Sequence, residues 1–346
     1  MRILRRLLLP TSVALIVAAA WTVPLPLFLE APGDLVSLGD RVEVHAPDAQ
    51  PLAGEFLFAT VNLTPGTTAD LARAALDDRI AVVPSQQLLP PGVDEDDFFE
   101  RQRTLFDYSA DVAAAVAMRA AGYPADPEAT RGDGAVVVDV LPGAPADGVL
   151  RPGDVITAVD GRPIETADQL REAVDATGGQ GAALELAFRR DGQERRERVT
   201  PRLLPAAEGP AIGILIDTLR PRLDLPVAVD FDAAGIGGPS AGLMIAVTVF
   251  DKLRGDVDLA AGRVVVGTGT MGTDGRVGSF GGLVLKVAAA DRRDADLFLA
   301  PAAQLGQARR ALPAGSHLQV LGVETFDDAV LALRETAVAP LPPSPR

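Results

Sequence analysis

Residues 134–174 read GAVVVDVLPGAPADGVLRPGDVITAVDGRPIETADQLREAV, and their punctuation lays out a small β-rich unit. A Val-rich strand runs into the turn at Leu141-Pro142-Gly143, and a short helix follows. A second strand then closes on the hairpin Asp160-Gly161, and a helix starts at Thr166 or Ala167. Two more strands, at 183–190 and 193–200, are joined through Asp191-Gly192, a type I′ hairpin signal. Strands of this length with turn residues between them need a shared sheet, so this stretch is expected to fold as one domain.

Three runs carry a resemblance. Leu141-Pro142-Gly143-Ala144-Pro145-Ala146, Leu150-Arg151-Pro152-Gly153-Asp154-Val155-Ile156 and Val159-Asp160-Gly161 make residues 126–205 resemble a PDZ domain of the bacterial protease-associated type. The resemblance implies a β-addition groove, in which an extended peptide joins a sheet edge and the helix at 166–176 forms the other wall. The Gly-Leu-Gly-Phe-like carboxylate loop usual before the first groove strand is replaced by Ala129-Thr130-Arg131-Gly132-Asp133-Gly134. Capture of a terminal carboxylate is therefore in question, while protein or peptide partners are expected. A spacer without ligand is the competing reading.

Downstream, a strand at 225–231 leads into Gly235-Ile236-Gly237-Gly238-Pro239-Ser240-Ala241-Gly242 and an apolar run to Phe250. A serine thus stands at a Gly-rich junction between strand and helix, with Pro239 suited to the first helical turn. Such a junction exposes backbone N–H groups that can hold a developing oxyanion, here near Gly238 and Ser240. Gly238 to Gly242 also fits the G-x-S-x-G nucleophile elbow, for which His317 is the histidine available downstream. A Gly-rich turn capping a core helix is the plain alternative. A second motif favours catalysis: Val264-Val265-Val266-Gly267-Thr268-Gly269, then Gly281-Gly282-Leu283-Val284-Leu285-Lys286, a lysine 46 residues after the serine.

Together these motifs resemble the Lon-type proteolytic domain, whose Pro-Ser-Ala-Gly serine and Gly-Gly-Leu-x-x-Lys lysine form a Ser–Lys dyad. The resemblance implies Ser240 as nucleophile, Lys286 as general base and Thr268 as a hydroxyl near the lysine, supported by Gly237, Gly238 and Pro239. The Asp-Gly-Pro-Ser of the hexameric, ATP-dependent members is Gly237-Gly238-Pro239-Ser240 here, so a nearby acid is missing. The chain also lacks a G-x-x-x-x-G-K-[ST] phosphate loop, and no ATP is expected. Hexameric rings follow only by family analogy. The chemistry stands without the family. A serine hydroxyl needs a base, and a lysine amine serves once burial disfavours its ammonium. Arginine does not deprotonate in proteins and cannot replace it.

The N-terminus bears on location. Residues 7–29 form an uncharged run after Arg2, Arg5 and Arg6, with Glu30 as the first acid. Its length suits a membrane span, and the charge order puts the N-terminus in the cytoplasm and the rest outside. A cleaved signal peptide ending near Ala18 to Ala20 is the rival. The full arrangement resembles the membrane-anchored, PDZ-containing Lon-like proteases of Gram-positive bacteria. The expected fold class is accordingly α+β and multidomain, with an N-terminal transmembrane helix, a PDZ β-rich domain and a Lon-type α/β proteolytic domain. The expected divisions are 1–32 for the tip and anchor, 33–125 for an N-terminal segment belonging to the proteolytic domain, 126–205 for the PDZ domain, 206–338 for the proteolytic domain and 339–346 for a disordered tail. Inserting the PDZ domain in this way would set its groove beside the active site.

Composition narrows the functions. The chain of 346 residues has a net charge of −15 and 4% aromatics, so nucleic acid is not an expected partner. There is no cysteine, and the histidines are His45 and His317 alone, so no disulfide, thiolate nucleophile, metal or cofactor is expected. Of 32 basic residues only Lys252 and Lys286 are lysines. Lys252 follows Asp251 at the end of a helix, a structural place for a cation. Three functions remain: a membrane-anchored, ATP-independent serine endopeptidase acting on extracytoplasmic proteins, an α/β-hydrolase-type esterase using Ser240 and His317, and a catalytically silent peptide-binding scaffold.

Overall fold

The computed structural model describes residues 21–77, 79–89, 95–178, 181–204, 209–233 and 235–338. In chain order the elements that matter are β1 (Pro24–Ser37), β2 (Val42–Val44), β3 (Glu55–Thr67), β4 (Ala81–Pro84) and α1 (Glu95–Ala120). Then come β5 (Ala135–Val140), β6 (Val155–Val159), α2 (Ala167–Asp175), β7 (Leu184–Arg190), β8 (Gln193–Val199) and β9 (Ile214–Thr218). The last stretch holds β10 (Val229–Phe231), α3 (Gly242–Leu253), β11 (Val264–Gly267), α4 (Leu283–Arg292), β12 (Leu297–Pro301), β13 (Gln319–Val323) and α5 (Phe326–Val338). The chain divides into two compact units, one made of Met1–Pro127 with Leu225–Arg346 and the other of Glu128–Asp224.

The discontinuous unit is built on one mixed sheet in the order β13-β12-β11-β3-β1-β4. The C-terminal strands β11, β12 and β13 run parallel, and β11 pairs in parallel with β3, which comes from the N-terminal half. Buried runs such as Leu297–Pro301 are what a sheet covered on both faces requires. Alternation along β11 serves both covers. Val266 packs in one cluster with Leu283 and Val287 of α4, while Gly267 lies under Met244 of α3. In α3 every residue except Lys252 is buried, so this helix is central rather than amphipathic. It packs against the C-terminal half of α1, where Ala110, Ala113, Ala114 and Ala117 are fully buried and let the two backbones approach.

The N-terminal expectation is overturned. Residues 24–37 form β1, so the last part of the expected span is strand rather than helix. Pro24 and Pro26 explain the change: neither can donate to a helical ladder, and the alternating Pro and Leu suit an extended chain. Phe28 and Leu29 are buried in the sheet rather than facing lipid. The earlier part of the expected span, residues 7–20, lies outside the described residues, as does the tail 339–346. Among the described residues no helix is long and apolar enough to cross a membrane. The transmembrane element of the expected fold class and the single-pass location with a cytoplasmic N-terminus are corrected accordingly. The long helix α1 begins at Glu95 and runs to Ala120. Its first turns are charged and carry no apolar periodicity to announce them.

The unit Glu128–Asp224 is a β-sheet in the order β9-β5-β6-β7-β8 with α2 packed beside it. Both Asp-Gly hairpins take left-handed backbone, Asp160 and Asp191 at φ 49° and 51°, as the type I′ signal requires. The Arg151-Pro152-Gly153-Asp154 run earns its place through Asp154, which is 1% exposed. Its carboxylate accepts from Arg190 Nε at 2.7 Å and Nη2 at 2.6 Å, and from the Arg151 amide at 2.8 Å. Burial pushes the Asp154 carboxyl up, but the bidentate arginine and the amide outweigh it and hold it below the usual value.

Two tests follow from this architecture. Residues 225–338 expressed alone lose β3 and β1 from the middle of their sheet, so they are expected to show no cooperative thermal transition by circular dichroism. A sharp transition would mean that the N-terminal strands are dispensable. Asp154→Ala leaves a half-buried Arg190 without its bidentate carboxylate and the Arg151 amide without its acceptor, and is expected to destabilise the inserted unit by about 2 kcal/mol in urea unfolding. Because the carboxyl is held low in the folded state, the contribution is present above the ordinary carboxylate pKa and disappears as pH falls through the lowered one. Equal stability of the variant at pH 7 would contradict this.

Candidate functional site

Ser240 sits in a single 3₁₀ turn, Pro239–Ala241, that runs directly into α3. The turn is fixed from two directions. From α1, the Ser109 hydroxyl donates to the Pro239 carbonyl at 3.1 Å, and the Gln102 carbonyl accepts from the Gly238 amide at 2.7 Å. From the segment after β11, the Gly269 amide and the Thr268 hydroxyl both donate to the Ser240 carbonyl, at 2.9 and 3.2 Å. Gly242 is needed for this convergence, since a Cβ there would lie 2.8 Å from the Met271 amide nitrogen and 3.1 Å from the Ser109 hydroxyl.

Lys286 arrives on α4, whose start is set by Gly282 in the left-handed region at φ 71°. Its side chain is 1% exposed, and Nζ lies 2.9 Å from Ser240 Oγ and 2.9 Å from Thr268 Oγ1. The Phe280 ring covers the amine at 4.9 Å. Burial brings the Lys286 pKa down to about 8, against an upward pull from the Glu30 carboxylate. The proton order in this cluster is constrained. The Thr268 proton is directed to the Ser240 carbonyl, so Thr268 Oγ1 can only accept from the amine. A neutral Lys286 then keeps its lone pair for the Ser240 hydroxyl proton.

The cluster opens on a cleft of about 650 Å³ bordered by Glu30, Asp34, Arg41, Gly237, Phe280 and Gly281, among others. One wall is β1. Its partner β4 pairs only with Leu27 to Glu30, and among the described residues no strand covers the same side of Asp34 to Ser37.

The structure brings together Ser240, Lys286 and Thr268, with Gly237, Gly238 and Pro239 in the adjoining loop. His317 is exposed, does not border the cleft and makes no hydrogen bond to Ser240. Gly238 differs from its expected role, because its N–H is already given to the Gln102 carbonyl. The acid missing at Gly237 has a steric counterpart, since a Cβ there would meet Gln102 Cβ at 3.0 Å. Gln102, Ser109 and Phe280 are absent from the sequence reading. Gln102 and Ser109 lie more than 120 residues before the serine, and nothing local links them to it. Among the described residues no group of three or more His, Asp or Glu could hold a metal ion.

The second unit has a cavity of its own, about 970 Å³, between Leu170 and Val174 of α2 and Ile214 and Ile216 of β9. β9 is the edge strand, and β5 is paired on both sides, by β9 and β6. The groove strand is therefore β9, which the expected end at 205 excluded from the unit. The turn that enters it is Gly209-Pro210-Ala211-Ile212-Gly213, not residues 129–134. Asp133 of that earlier loop is instead tied to Arg222 at 2.9 Å.

Residues 115–200 match the PDZ domain family. The inserted unit is a PDZ domain. The chain is also similar to solved PDZ domains of SdrC-like proteins. The one from Listeria monocytogenes shares 23% identity over 24% of this chain and 87% of that one, and the one from Listeria innocua 24% over 24% and 93%, each with a TM-score of 0.23. A solution structure from Geobacillus thermodenitrificans shares 34% identity over 21% of this chain and 83% of that one, with a TM-score of 0.20. No curated protein matches the chain.

A PDZ domain binds peptide or protein segments by strand addition, and this one offers an open edge on β9 facing an apolar helix wall. Val174→Glu, introduced into the full chain, is expected to weaken binding of apolar extended peptides at least tenfold in fluorescence polarisation. Asp168→Ala, at an exposed position outside the groove, is expected to leave binding unchanged. Equal affinities for Val174→Glu and the parent would place binding elsewhere.

Proposed function

We propose that the protein is an ATP-independent serine endopeptidase of the Lon-like, PDZ-containing kind, with Ser240 as nucleophile and Lys286 as general base. The observation that carries the reading is a fully buried lysine amine 2.9 Å from the hydroxyl of a serine at a strand-to-helix junction. A structural lysine would be expected to reach solvent or a carboxylate. Lys286 does neither, and its hydrogen-bond partners are two hydroxyls. The motif resemblance at Pro239-Ser240-Ala241-Gly242 and Gly281 to Lys286 supports the same roles.

In this mechanism the neutral amine of Lys286 takes the Ser240 proton as Oγ attacks the scissile carbonyl. The Ser240 N–H, at the start of its turn, is the donor suited to the oxyanion, since Gly238 is engaged. Lys286 then passes the proton to the leaving amine, and the acyl-enzyme forms. A water attacks the ester, giving one proton to Lys286, which returns it to Ser240 as the new carboxyl leaves. Thr268 holds the amine in line throughout. The open side of β1 offers the substrate backbone a strand partner beside the serine, and the PDZ domain holds a second segment of the same substrate.

The test is hydrolysis of an unfolded protein such as casein by the full chain. Ser240→Ala and Lys286→Arg are each expected to lose at least about 10²-fold in rate, while His317→Ala retains it. Because burial lowers the Lys286 pKa to about 8, the neutral base is depleted below that value. The rate is expected to rise with pH through about 8 and then level. Activity in Lys286→Arg would sink the dyad, loss in His317→Ala would favour the esterase arrangement, and a wild type that binds peptides without cleaving them would favour the scaffold.

A further inference from the structure

Nothing in the motifs explains how a lysine one turn inside a helix, bordering a cleft of about 650 Å³, stays 1% exposed. Beside the cleft, one side chain lies directly over the amine. The Phe280 ring centroid is 4.9 Å from Nζ, and Phe280 itself is 36% exposed. The ring borders both the amine and the cleft, whose lining also includes Lys286 and Ser240. It sits in Gly278-Ser279-Phe280-Gly281-Gly282, a backbone with too many glycines to hold an aromatic ring by itself. Gln304 supplies the missing restraint. Its Oε1 accepts from the Phe280 amide at 3.1 Å and its Nε2 donates to the Phe280 carbonyl at 2.9 Å. A side-chain amide so bonded acts as a one-residue strand partner for the segment.

We infer that Phe280 is a positioning residue for the reaction: its ring lies over Lys286 Nζ beside the cleft, and the Gln304 carboxamide, bonded to the Phe280 backbone, holds it there. The inference rests on the peptidase reading and adds to it how the base is kept ready. Two effects of the ring act at different stages. As an apolar cover it keeps water from the amine and so favours the neutral base before reaction. As a π face it attracts the ammonium that forms once the serine proton has moved. Stabilisation that appears only after proton transfer lowers the barrier rather than the ground state. A carboxylate beside the amine would do the reverse, fixing the charged form from the outset. The charged groups facing the site are Glu30 and Asp34 from β1 and Arg41, with Glu30 the one that pulls the amine towards its charged form.

The chain itself provides the assay, since it contains two lysines. Lysine labelled with ¹³C at Cε gives two NMR signals in the full-length protein, and Lys286→Ala identifies the one to follow, with Lys252 as internal reference. Lys286 is expected to titrate near 8 in the parent. Phe280→Ala, which admits water, should move its midpoint up by about one unit or more, equivalent to a tenfold change in the neutral fraction. Phe280→Leu, which keeps an apolar cover but removes the π face, should cause no upward movement, yet should slow labelling of Ser240 by a fluorophosphonate at pH 9 several-fold. Gln304→Ala should shift the midpoint in the same direction as Phe280→Ala, by less, and keeps the test open where Phe280→Ala does not fold. Midpoints for Phe280→Ala and Gln304→Ala equal to the parent's would overturn the inference, as would a change confined to KM. The titration does not depend on cleavage, so the two failures separate. Ser240-dependent labelling with a midpoint indifferent to Phe280 refutes the role of the ring alone. Labelling that is the same in parent and Ser240→Ala, with the midpoint moving as expected, refutes the peptidase and leaves the ring as the determinant of the amine.

Discussion

An amine taken out of water is costly, and most of the discontinuous unit makes sense as the surroundings that Lys286 requires. Its Nζ has two hydroxyl partners and an aromatic face and, among the described residues, no carboxylate within hydrogen-bond reach. Each partner comes from a different part of the chain. Ser240 stands on the turn before α3, Thr268 follows β11, and Lys286 hangs from α4. Bringing these together needs β11 between the two helices, Gly242 small enough to pass Met271, and α1 behind the serine turn.

The same requirement accounts for the interrupted topology. β11 pairs with β12 on one side and with β3 on the other, and β3 is hydrogen-bonded in turn to β1. Without the N-terminal half, the strand that carries Thr268 would become an edge. Edge strands fray and invite pairing with other chains. A hydroxyl held 2.9 Å from the Lys286 amine is steadier just after a strand that is paired on both sides. The PDZ domain enters between Pro127 and Leu225 without breaking a strand of that sheet. Its own entry and exit segments lie side by side through the Arg131 and Arg222 backbone pair. A module with adjacent ends can be inserted without pulling its host apart.

What the sequence disclosed follows from how locally each feature is encoded. Asp160-Gly161 and Asp191-Gly192 fix their turns through their own backbone preferences, so both hairpins are readable from two residues. Ser240, Thr268 and Lys286 are readable because each lies in a short motif with its own glycines. β1 was misread because an apolar run has the same composition whether it faces lipid or a protein core, and only Pro24 and Pro26 spoke for a strand. β9 was missed because its partner β5 lies more than 70 residues earlier, and no turn signal records a pairing made at that distance. Gln102 and Ser109 were invisible for a related reason. They act through a backbone carbonyl and a single hydroxyl, which leave no pattern in the sequence around them.

The two lysines illustrate how differently one residue type can be required. Lys252 Nζ donates to the Gly39 and Val42 carbonyls at 2.7 and 2.6 Å, closing the turn between β1 and β2. Two carbonyls converging on one point suit a compact ammonium, and a planar guanidinium would spread its donors away from them. At that site the charge itself is the tie. Lys286 has hydroxyls where Lys252 has carbonyls, and a hydroxyl can give a proton as well as accept one. Arginine would fail at Lys252 through its shape and at Lys286 through its basicity. The chemistry of the neighbouring oxygens, rather than burial alone, is what separates the structural lysine from the candidate base.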